Sequence, residues 1–222
     1  MKELSELDEQ RAKVNRAQGK LMLEAAKERA IEDGVSEPAT RQRNGTLVES
    51  LLELEKDIRL LVVGKRGETA HQASGHLGSN LERVVRELHR PILMVPKTFT
   101  RPEKILMAFD GSKTSRKGVE MLARSPLFAG TECHVLIVGA ETAERRSEIE
   151  WALSTLREAG HQAEGAIRAG EVDEALQAYE KEHDIDLLVM GAYGHSRIRH
   201  LLVGSTTTAM LRGSRIPVLI LR

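Results

Sequence analysis

The chain of 222 residues carries 33 basic and 33 acidic side chains and is 41% hydrophobic but only 3% aromatic. Proteins that bind nucleic-acid phosphates usually have a basic surplus, and single-strand binders stack bases on aromatic rings, so we expect no nucleic-acid partner. The single cysteine, Cys133, cannot form an internal disulfide, which favours a reducing, cytoplasmic compartment. No apolar run approaches the ~18–20 residues that cross a bilayer, and no membrane partner is expected.

The first half of the chain begins with a charged segment that predicts a helix from about Leu4 to Asp33, followed by a weak strand near Ala39–Arg43. The apolar run that ends at Gly64 predicts a buried strand. After a helical stretch, the Pro-led run Pro91–Val95 predicts another strand. Residues Lys97–Lys104 are typical of a linker.

The second half repeats this series of elements. Asp57–Gly64 matches Asp184–Gly191, and a second glycine follows three residues later in each copy, at Gly67 and Gly194. Each copy then continues with a Gly-Ser pair, a helical stretch and a Pro-led apolar run. Because order, spacing and turn chemistry recur together, the sequence holds two copies of one unit. We place the domain boundaries at 1–98 and 102–222.

The second copy predicts five strands and four helices, counted from Lys104. Its strands are short, rich in Val, Ile and Leu, and do not alternate, which is typical of a parallel sheet covered on both faces. The predicted strands include Ile105–Phe109, Val135–Val138, Leu187–Met190 and Val218–Leu221, and the predicted helices include Ser112–Leu122, Ala143–Ala159 and Val172–Glu182. Strands that alternate with helices indicate a doubly wound α/β fold.

The first copy lacks the opening strand, its helix and the second strand. Two explanations remain open: a degenerate repeat, or a chain that has lost the beginning of its first copy. We favour the second explanation, because a missing central strand leaves an apolar edge exposed.

Glycines and hydroxyl residues follow the fourth strand of the second copy. Gly191 directly follows the strand, where the missing Cβ leaves room for a ligand. The pair Gly204-Ser205 opens a helix, whose free amides and positive dipole end would bind an anion. The alternative is that the glycines are only turns and the hydroxyl residues only caps. The spacing matches neither a Walker loop nor a Gly-x-Gly-x-x-Gly fingerprint.

Asp110 follows the first strand of the second copy, at the edge where doubly wound sheets bind ligands. Its carboxylate could accept hydrogen bonds from ribose hydroxyls or an adenine amine, or hold a Mg²⁺ ion that bridges phosphates. The alternative is that Asp110 opens a turn and Ser112 caps the next helix.

The pattern Gly-x2-Gly-x9-Gly-Ser/Thr after an apolar strand, with Asp110 ending the first strand, resembles the universal stress protein family. Residues 102–222 resemble one complete family domain, and residues 1–100 resemble the later part of a second one. The resemblance implies an open parallel five-stranded sheet of strand order 3-2-1-4-5, which brings Asp110 beside Gly191 and Gly194. It also implies ATP binding, with or without Mg²⁺, in a stress-response protein that often forms a homodimer.

The resemblance also implies a role for each matching residue. Asp110 would face the nucleoside, with Ala108 and Phe109 as the floor and Val138 and Met190 against the adenine. The phosphate loop would consist of Gly191, Tyr193 and Gly194, and the phosphates would contact Gly204, Ser205, Thr206 and Thr207. The first copy has only a degenerate anion site, made of Gly64, Gly67, Gly78, Ser79 and Asn80, and no counterpart of Asp110.

The remaining candidates are weaker. His71, His76 and His89 have neither the spacing nor the carboxylate neighbours of a metal site, so no metal site is predicted. We expect Cys133 to be a small buried hydrophobe. We also expect self-association through the incomplete first domain or through the final strand, Pro217–Leu221.

The sequence therefore favours an ATP-binding regulatory protein, not an efficient catalyst. One alternative is a slow ATP hydrolase or nucleotidyl-transferring enzyme, although only one carboxylate stands in the motif and phosphoryl transfer needs more. The other is a nucleotide-free interaction module.

Overall fold

The protein is represented by a computed structural model that describes residues 2–65, 79–192 and 205–222. The chain divides into two compact units, one up to Thr46 and the other from Leu47 to Arg222. No helix in the described ranges is both long enough and apolar enough to cross a membrane.

The first unit contains a long helix, α1 (Lys2–Glu32), and the segment that follows it. The predicted strand near Ala39–Arg43 is wrong, because these residues form no regular structure. Only Ala39 in this segment is apolar, so the segment has no apolar face to bury in a sheet. Instead, the Gln42 side-chain amide returns to α1 and donates a hydrogen bond to the Arg16 carbonyl at 3.0 Å.

The second unit is built around one sheet of seven strands. The strands are β1 (Leu61–Gly64), β2 (Ile92–Val95), β3 (Lys104–Ala108), β4 (Glu132–Val138), β5 (Gln162–Arg168), β6 (Leu187–Gly191) and β7 (Val218–Leu221). The helices are α2 (Leu47–Leu54), α3 (Ser79–Glu87), α4 (Lys113–Arg124), α5 (Ala143–Glu158), α6 (Val172–Glu182) and α7 (Ser205–Gly213). Short 3-10 turns lie at Glu55–Asp57 and Pro126–Phe128.

The five strands of the second copy are all parallel and lie in the order β5-β4-β3-β6-β7. Numbered within the copy, this is the order 3-2-1-4-5. The central strand β3 is covered on both faces, since its neighbouring residues Leu106 and Met107 are both 0% exposed. Burial on both faces explains why strands such as β3, β6 and β7 are continuous apolar runs in the sequence.

The sheet continues beyond the second copy into the first. Strand β7 pairs with β2 in the antiparallel direction, with Leu93 opposite Leu219, and β2 pairs in parallel with β1. The sheet is thus larger than the predicted five strands. The predicted self-association through Pro217–Leu221 does not fit this pairing. Strand β7 lies between β6 and β2, so neither of its edges is open.

Two apolar clusters cover the two faces of the sheet. The first cluster contains buried residues of α2, α3, α6 and α7, and the second contains those of α4 and α5. Helix α5 follows its predicted periodicity, since Ile149, Leu153 and Leu156 are all buried in the second cluster. Strand β1, at the end of the sheet, is less covered, and its Val62 is 56% exposed.

Lys65, directly after β1, holds the carboxyl end of α7. Its ammonium donates hydrogen bonds to the Arg212 carbonyl at 2.7 Å and to the Ser214 carbonyl at 2.6 Å. The last carbonyls of a helix have no partner within the helix and carry the negative end of its dipole, so a lysine there is favourable. This contact links the first copy to the last helix of the second.

We expect Lys65→Met to lower the free energy of unfolding by about 1–2 kcal/mol, because two carbonyls lose a charged donor while the apolar stem of the side chain is kept. Urea unfolding of the variant and the parent protein measures this loss. Lys117→Met, at an exposed position of α4, is the matched control and should change stability by less than about 0.5 kcal/mol. Equal stability of the two variants would contradict the conclusion that Lys65 stabilises the carboxyl end of α7.

Candidate functional site

The residues after β3 form a tight turn that starts α4. The Asp110 carboxylate accepts a hydrogen bond from the Ser112 amide at 3.0 Å, and the Ser112 hydroxyl accepts one from the Ser115 amide at 3.2 Å. Asp110 therefore opens a turn and Ser112 caps the helix, as the more conservative of the two sequence interpretations predicts. The turn also fixes the direction of the carboxylate at the end of the strand.

A second layer of residues supports this turn. Gly111 has a φ of +73°, a conformation that favours glycine. A Cβ at this position would also overlap the Glu148 carboxylate, whose Cδ would lie only 2.7 Å away. Arg116 donates to the Gly111 carbonyl at 3.2 Å, pairs with Glu148 at 3.3 Å, and stacks over the Trp151 ring at 4.6 Å.

Sequence reasoning missed Arg116, Glu148 and Trp151. The nearest signal is the spacing from Glu148 to Trp151, which puts both on one face of α5, but the packing of α5 beside α4 is not readable from the sequence.

The residues after β6 are joined to the first turn of α7. The Ala192 amide donates to the Leu221 carbonyl at 3.0 Å, which extends the pairing of β6 with β7. The Ala192 carbonyl then accepts a hydrogen bond from the Thr207 hydroxyl at 3.0 Å, and Thr207 is only 2% exposed. Because this hydroxyl donates within the protein, Thr207 positions the first turn of α7. The predicted contact of Thr207 with phosphate stays a prediction.

Both groups of residues lie at one edge of the sheet. Strands β3 and β6 are parallel neighbours, with Met107 opposite Val189, so the residues that follow them lie side by side. The Thr207 hydrogen bond brings the amino end of α7 to the same edge. The Asp110 turn and the amino end of α7 therefore lie at the same edge of the sheet. They lie near the point between β3 and β6 where the strand order reverses, which is where doubly wound sheets bind ligands.

The predicted floor residues divide between the two faces of the sheet. Ala108, Val138 and Met190 pack in or against the first cluster, on the α6 and α7 side. Phe109 lies in the second cluster and stacks on Trp151 with ring centroids 6.1 Å apart. The Phe109 ring therefore lies on the other face of the sheet from Ala108, because successive strand residues point to opposite faces. Its contribution to the floor stays a prediction.

The structure describes only some of the remaining predicted site residues. Tyr193, Gly194, Gly204, Gly67 and Gly78 lie outside the described residues. Ser205 begins α7 and is followed by Thr206, and Ser79 begins α3 and is followed by the exposed Asn80. Their contacts with phosphate stay predictions.

The strand end of the first copy opens on the opposite edge of the sheet, because β2 and β7 are antiparallel. It also differs chemically. Lys65 stands where the second copy has Ala192, and Leu81, 7% exposed, stands where it has Thr207. The degenerate anion site there stays a prediction, and its lysine is engaged with the carboxyl end of α7.

Cys133 is fully buried in the second cluster. Burial raises the pKa of its thiol to about 11, against a small opposing effect of the hydrogen bond with Thr131. The thiol is therefore protonated at neutral pH and is no nucleophile, in agreement with the prediction from the sequence.

Comparison with known proteins gives the family of the chain. The model described as universal stress protein family matches residues 1–96 and, separately, residues 102–222. The chain belongs to the universal stress protein family. The two matches agree with the two sequence copies, while the domain boundaries at 98 and 102 stay a prediction.

Individual relatives support this assignment. A universal stress protein of Synechocystis sp. is 39% identical, over 100% of this chain and 78% of that protein. One from Mycobacterium tuberculosis is 27% identical, over 80% of this chain and 66% of that protein. The crystal structure of a universal stress protein from Archaeoglobus fulgidus has the same fold, with a TM-score of 0.76 at 20% identity, over 92% of this chain and 76% of that one.

Proposed function

We propose that this universal stress protein binds an adenine nucleotide, ATP in the first instance, at the crevice between the carboxyl ends of β3 and β6. The observation that carries the proposal is the hydrogen bond from Thr207 to the Ala192 carbonyl. It supports the proposal because it ties the positive end of α7 to the end of β6, the strand next to the one that Asp110 follows, and a helix amino end is a ready site for phosphate.

The chemistry of the crevice suits the parts of a nucleotide. Amides of the first turn of α7 would bind the phosphates, as the resemblance implies for Ser205 and Thr206. Asp110 would accept hydrogen bonds from ribose, or supply the oxygen ligand that Mg²⁺ prefers. On the first-cluster side, Ala108 and Met190 offer an apolar surface for the base.

The protein is proposed to act as a regulatory module that ATP shifts between states by binding one of them more tightly. Efficient phosphoryl transfer needs several metal ligands and a positioned base or water. The second carboxylate near the Asp110 turn, Glu148, is paired with Arg116, so slow hydrolysis is the most that we expect. Steady-state phosphate release on addition of ATP measures this activity.

We also propose a cytoplasmic homodimer formed through the first copy. Strand β1 is the end strand of the sheet, and its Val62 is 56% exposed. A strictly monomeric mass by light scattering at high protein concentration would contradict the dimer.

The nucleotide proposal is tested by calorimetric titration of the full chain with ATP, with and without Mg²⁺. We expect one ATP per chain and at least a tenfold loss of affinity in Asp110→Ala, because hydrogen bonds to a charged group are lost. Asp57→Ala, an exposed position before β1, is the control and should bind ATP as the parent protein does. Mass spectrometry of the protein as isolated identifies whether ATP, ADP or AMP is carried.

From the sequence pattern, Gly204→Val should abolish ATP binding while leaving the fold intact, since a branched side chain would block the phosphate path. Melting curves of each variant establish that it is folded. Undiminished ATP affinity in folded Asp110→Ala and Gly204→Val would overturn the proposed site, and absence of any adenine nucleotide binding would favour the interaction module.

A further inference from the structure

Three side chains that can ligate a metal converge on β4 and β5. Glu132 and His134 lie two residues apart on β4, so they point to the same face, and Glu164 lies directly opposite His134 on β5. One ligand atom from each residue lies within 4.8 Å of the other two. The group is near the amino ends of the strands, whereas the candidate nucleotide crevice is at their carboxyl ends.

The imidazole of His134 is held in one orientation. It is 2% exposed, its Nδ1 lies 3.0 Å from the Tyr179 hydroxyl, and its Nε2 lies 2.9 Å from Glu132 Oε1. The ring also packs against His183, which in turn stacks on Tyr179 with centroids 4.0 Å apart. Because a carboxylate only accepts hydrogen bonds, Nε2–H donates to Glu132 and Nδ1 accepts from the Tyr179 hydroxyl. A metal ion would replace the Nε2 proton, and Nδ1–H would then donate to Tyr179, which is how metal-ligating histidines are usually fixed.

Two cations near this cluster, Arg168 and Lys104, have other partners in the described part of the chain. Arg168 pairs with Glu182 at 2.6 Å and lies over the Tyr179 ring at 4.5 Å. The ammonium of Lys104 donates to the His183 carbonyl at 3.3 Å. The Glu132 and Glu164 carboxylates lie close to each other and to the His134 imidazole, and a bound cation stabilises such neighbouring like charges.

We propose that Glu132, His134 and Glu164 bind one divalent transition-metal ion of the Zn²⁺ class. One imidazole and two carboxylates suit Zn²⁺, Co²⁺ or Ni²⁺ better than Ca²⁺ or Mg²⁺, which prefer six or more oxygen ligands. Tetrahedral Zn²⁺ needs ligand atoms about 3.4 Å apart, so Glu164, which is exposed, has only to swing towards His134. A water molecule would take the fourth position.

The site would join the end strand β5 to its neighbour. Glu132 has 31% of its side-chain area exposed, and Glu164 is open to solvent, so an ion has a path into the site. Because the ion binds the folded chain, it should raise the melting temperature. The proposal does not depend on nucleotide binding, and its tests are made without nucleotide.

The test uses the full chain, freed of metal with a chelator and titrated with ZnCl₂ by calorimetry. We expect one ion per chain, a rise in melting temperature, and visible absorption of a tetrahedral Co²⁺ adduct. Glu164→Gln should weaken Zn²⁺ binding at least tenfold, and Glu132→Gln should do the same. The matched control is Glu158→Gln, an exposed glutamate at the end of α5, which should leave binding unchanged.

A further variant separates positioning from ligation. Tyr179→Phe keeps the buried ring but removes the hydroxyl that orients His134, and we expect about a tenfold loss of Zn²⁺ affinity. The proposal is overturned if the parent protein binds no Zn²⁺, or if folded Glu164→Gln and Glu132→Gln bind it as tightly as Glu158→Gln. The second result would assign the ion to other residues of the chain.

Discussion

Replacing Glu180 with glutamine is expected to stabilise the protein at pH 8, by about 2 kcal/mol more than at pH 5. Glu180 lies on α6, and one of its carboxylate oxygens is buried without a hydrogen-bond partner among the described residues. Burial raises the pKa of this carboxyl from 4.5 to about 7, with a smaller opposing effect of Lys181. The folded protein therefore holds a proton that the unfolded chain releases.

The direction of the pH effect follows from this difference. Between about pH 4.5 and pH 7 the folded state binds more protons than the unfolded state, so the Glu180 contribution to stability falls as pH rises. Glutamine has nearly the same shape as glutamate and does not ionise, so the stability of the variant does not fall with pH in this way. Urea unfolding of both proteins at pH 5, 6, 7 and 8 measures the difference at each pH.

The control for Glu180 is Glu174→Gln, an exposed glutamate on the same helix. We expect this variant to follow the parent protein at every pH. A stability difference between Glu180→Gln and the parent that stays constant from pH 5 to pH 8 would show that the carboxyl does not titrate in this range.

The second large effect is expected for Gly118→Val, which should lower the free energy of unfolding by about 1–3 kcal/mol. Gly118 lies in the middle of α4, where glycine is unfavourable unless the packing needs it. A Cβ there would overlap the Leu221 side chain and lie 2.9 Å from the Met107 Cε. Both side chains are buried, at 5% and 0% exposure, so neither can move away into solvent.

Helix propensity cannot explain such a loss, because valine is a better helix former than glycine. Lys117→Val introduces the same residue at the exposed neighbouring position, where nothing is overpacked, and should cost only about 0.5 kcal/mol. Removing the obstructing side chain in Gly118→Val/Leu221→Ala should give a coupling energy of about 0.5–3 kcal/mol. If Gly118→Val is no less stable than Lys117→Val, α4 does not pack as closely as described.

Much of the second copy could be predicted from the sequence. Apolar runs, glycines and caps predict its strands and helices to within a few residues, and Asp110 and Gly191 do lie at the ends of neighbouring strands. The pairing of β2 with β7 could not be predicted, because two short apolar runs carry no signal for the direction of their partner. Because apolar and polar residues do not alternate along β3 either, the sequence did not indicate that Ala108 and Phe109 point to opposite faces of the sheet.

The candidate site shows a similar limit. The Thr207 hydroxyl has the chemistry of a phosphate ligand, but its partner is the Ala192 carbonyl, which only the folded chain brings to it. The spacing of Glu132 and His134 on one strand is readable from the sequence and predicts a shared face. Glu164 joins them only through the register of β4 and β5, which the sequence does not specify.

Helix α7 is fastened at both of its ends. Thr207 joins its first turn by a hydrogen bond to the end of β6, at the proposed nucleotide crevice. Lys65 of the first copy donates hydrogen bonds to carbonyls at its last turn. An axial shift of α7 would stretch the two Lys65 hydrogen bonds. Any displacement of α7 that a bound nucleotide caused would therefore be transmitted through Lys65 to the first copy.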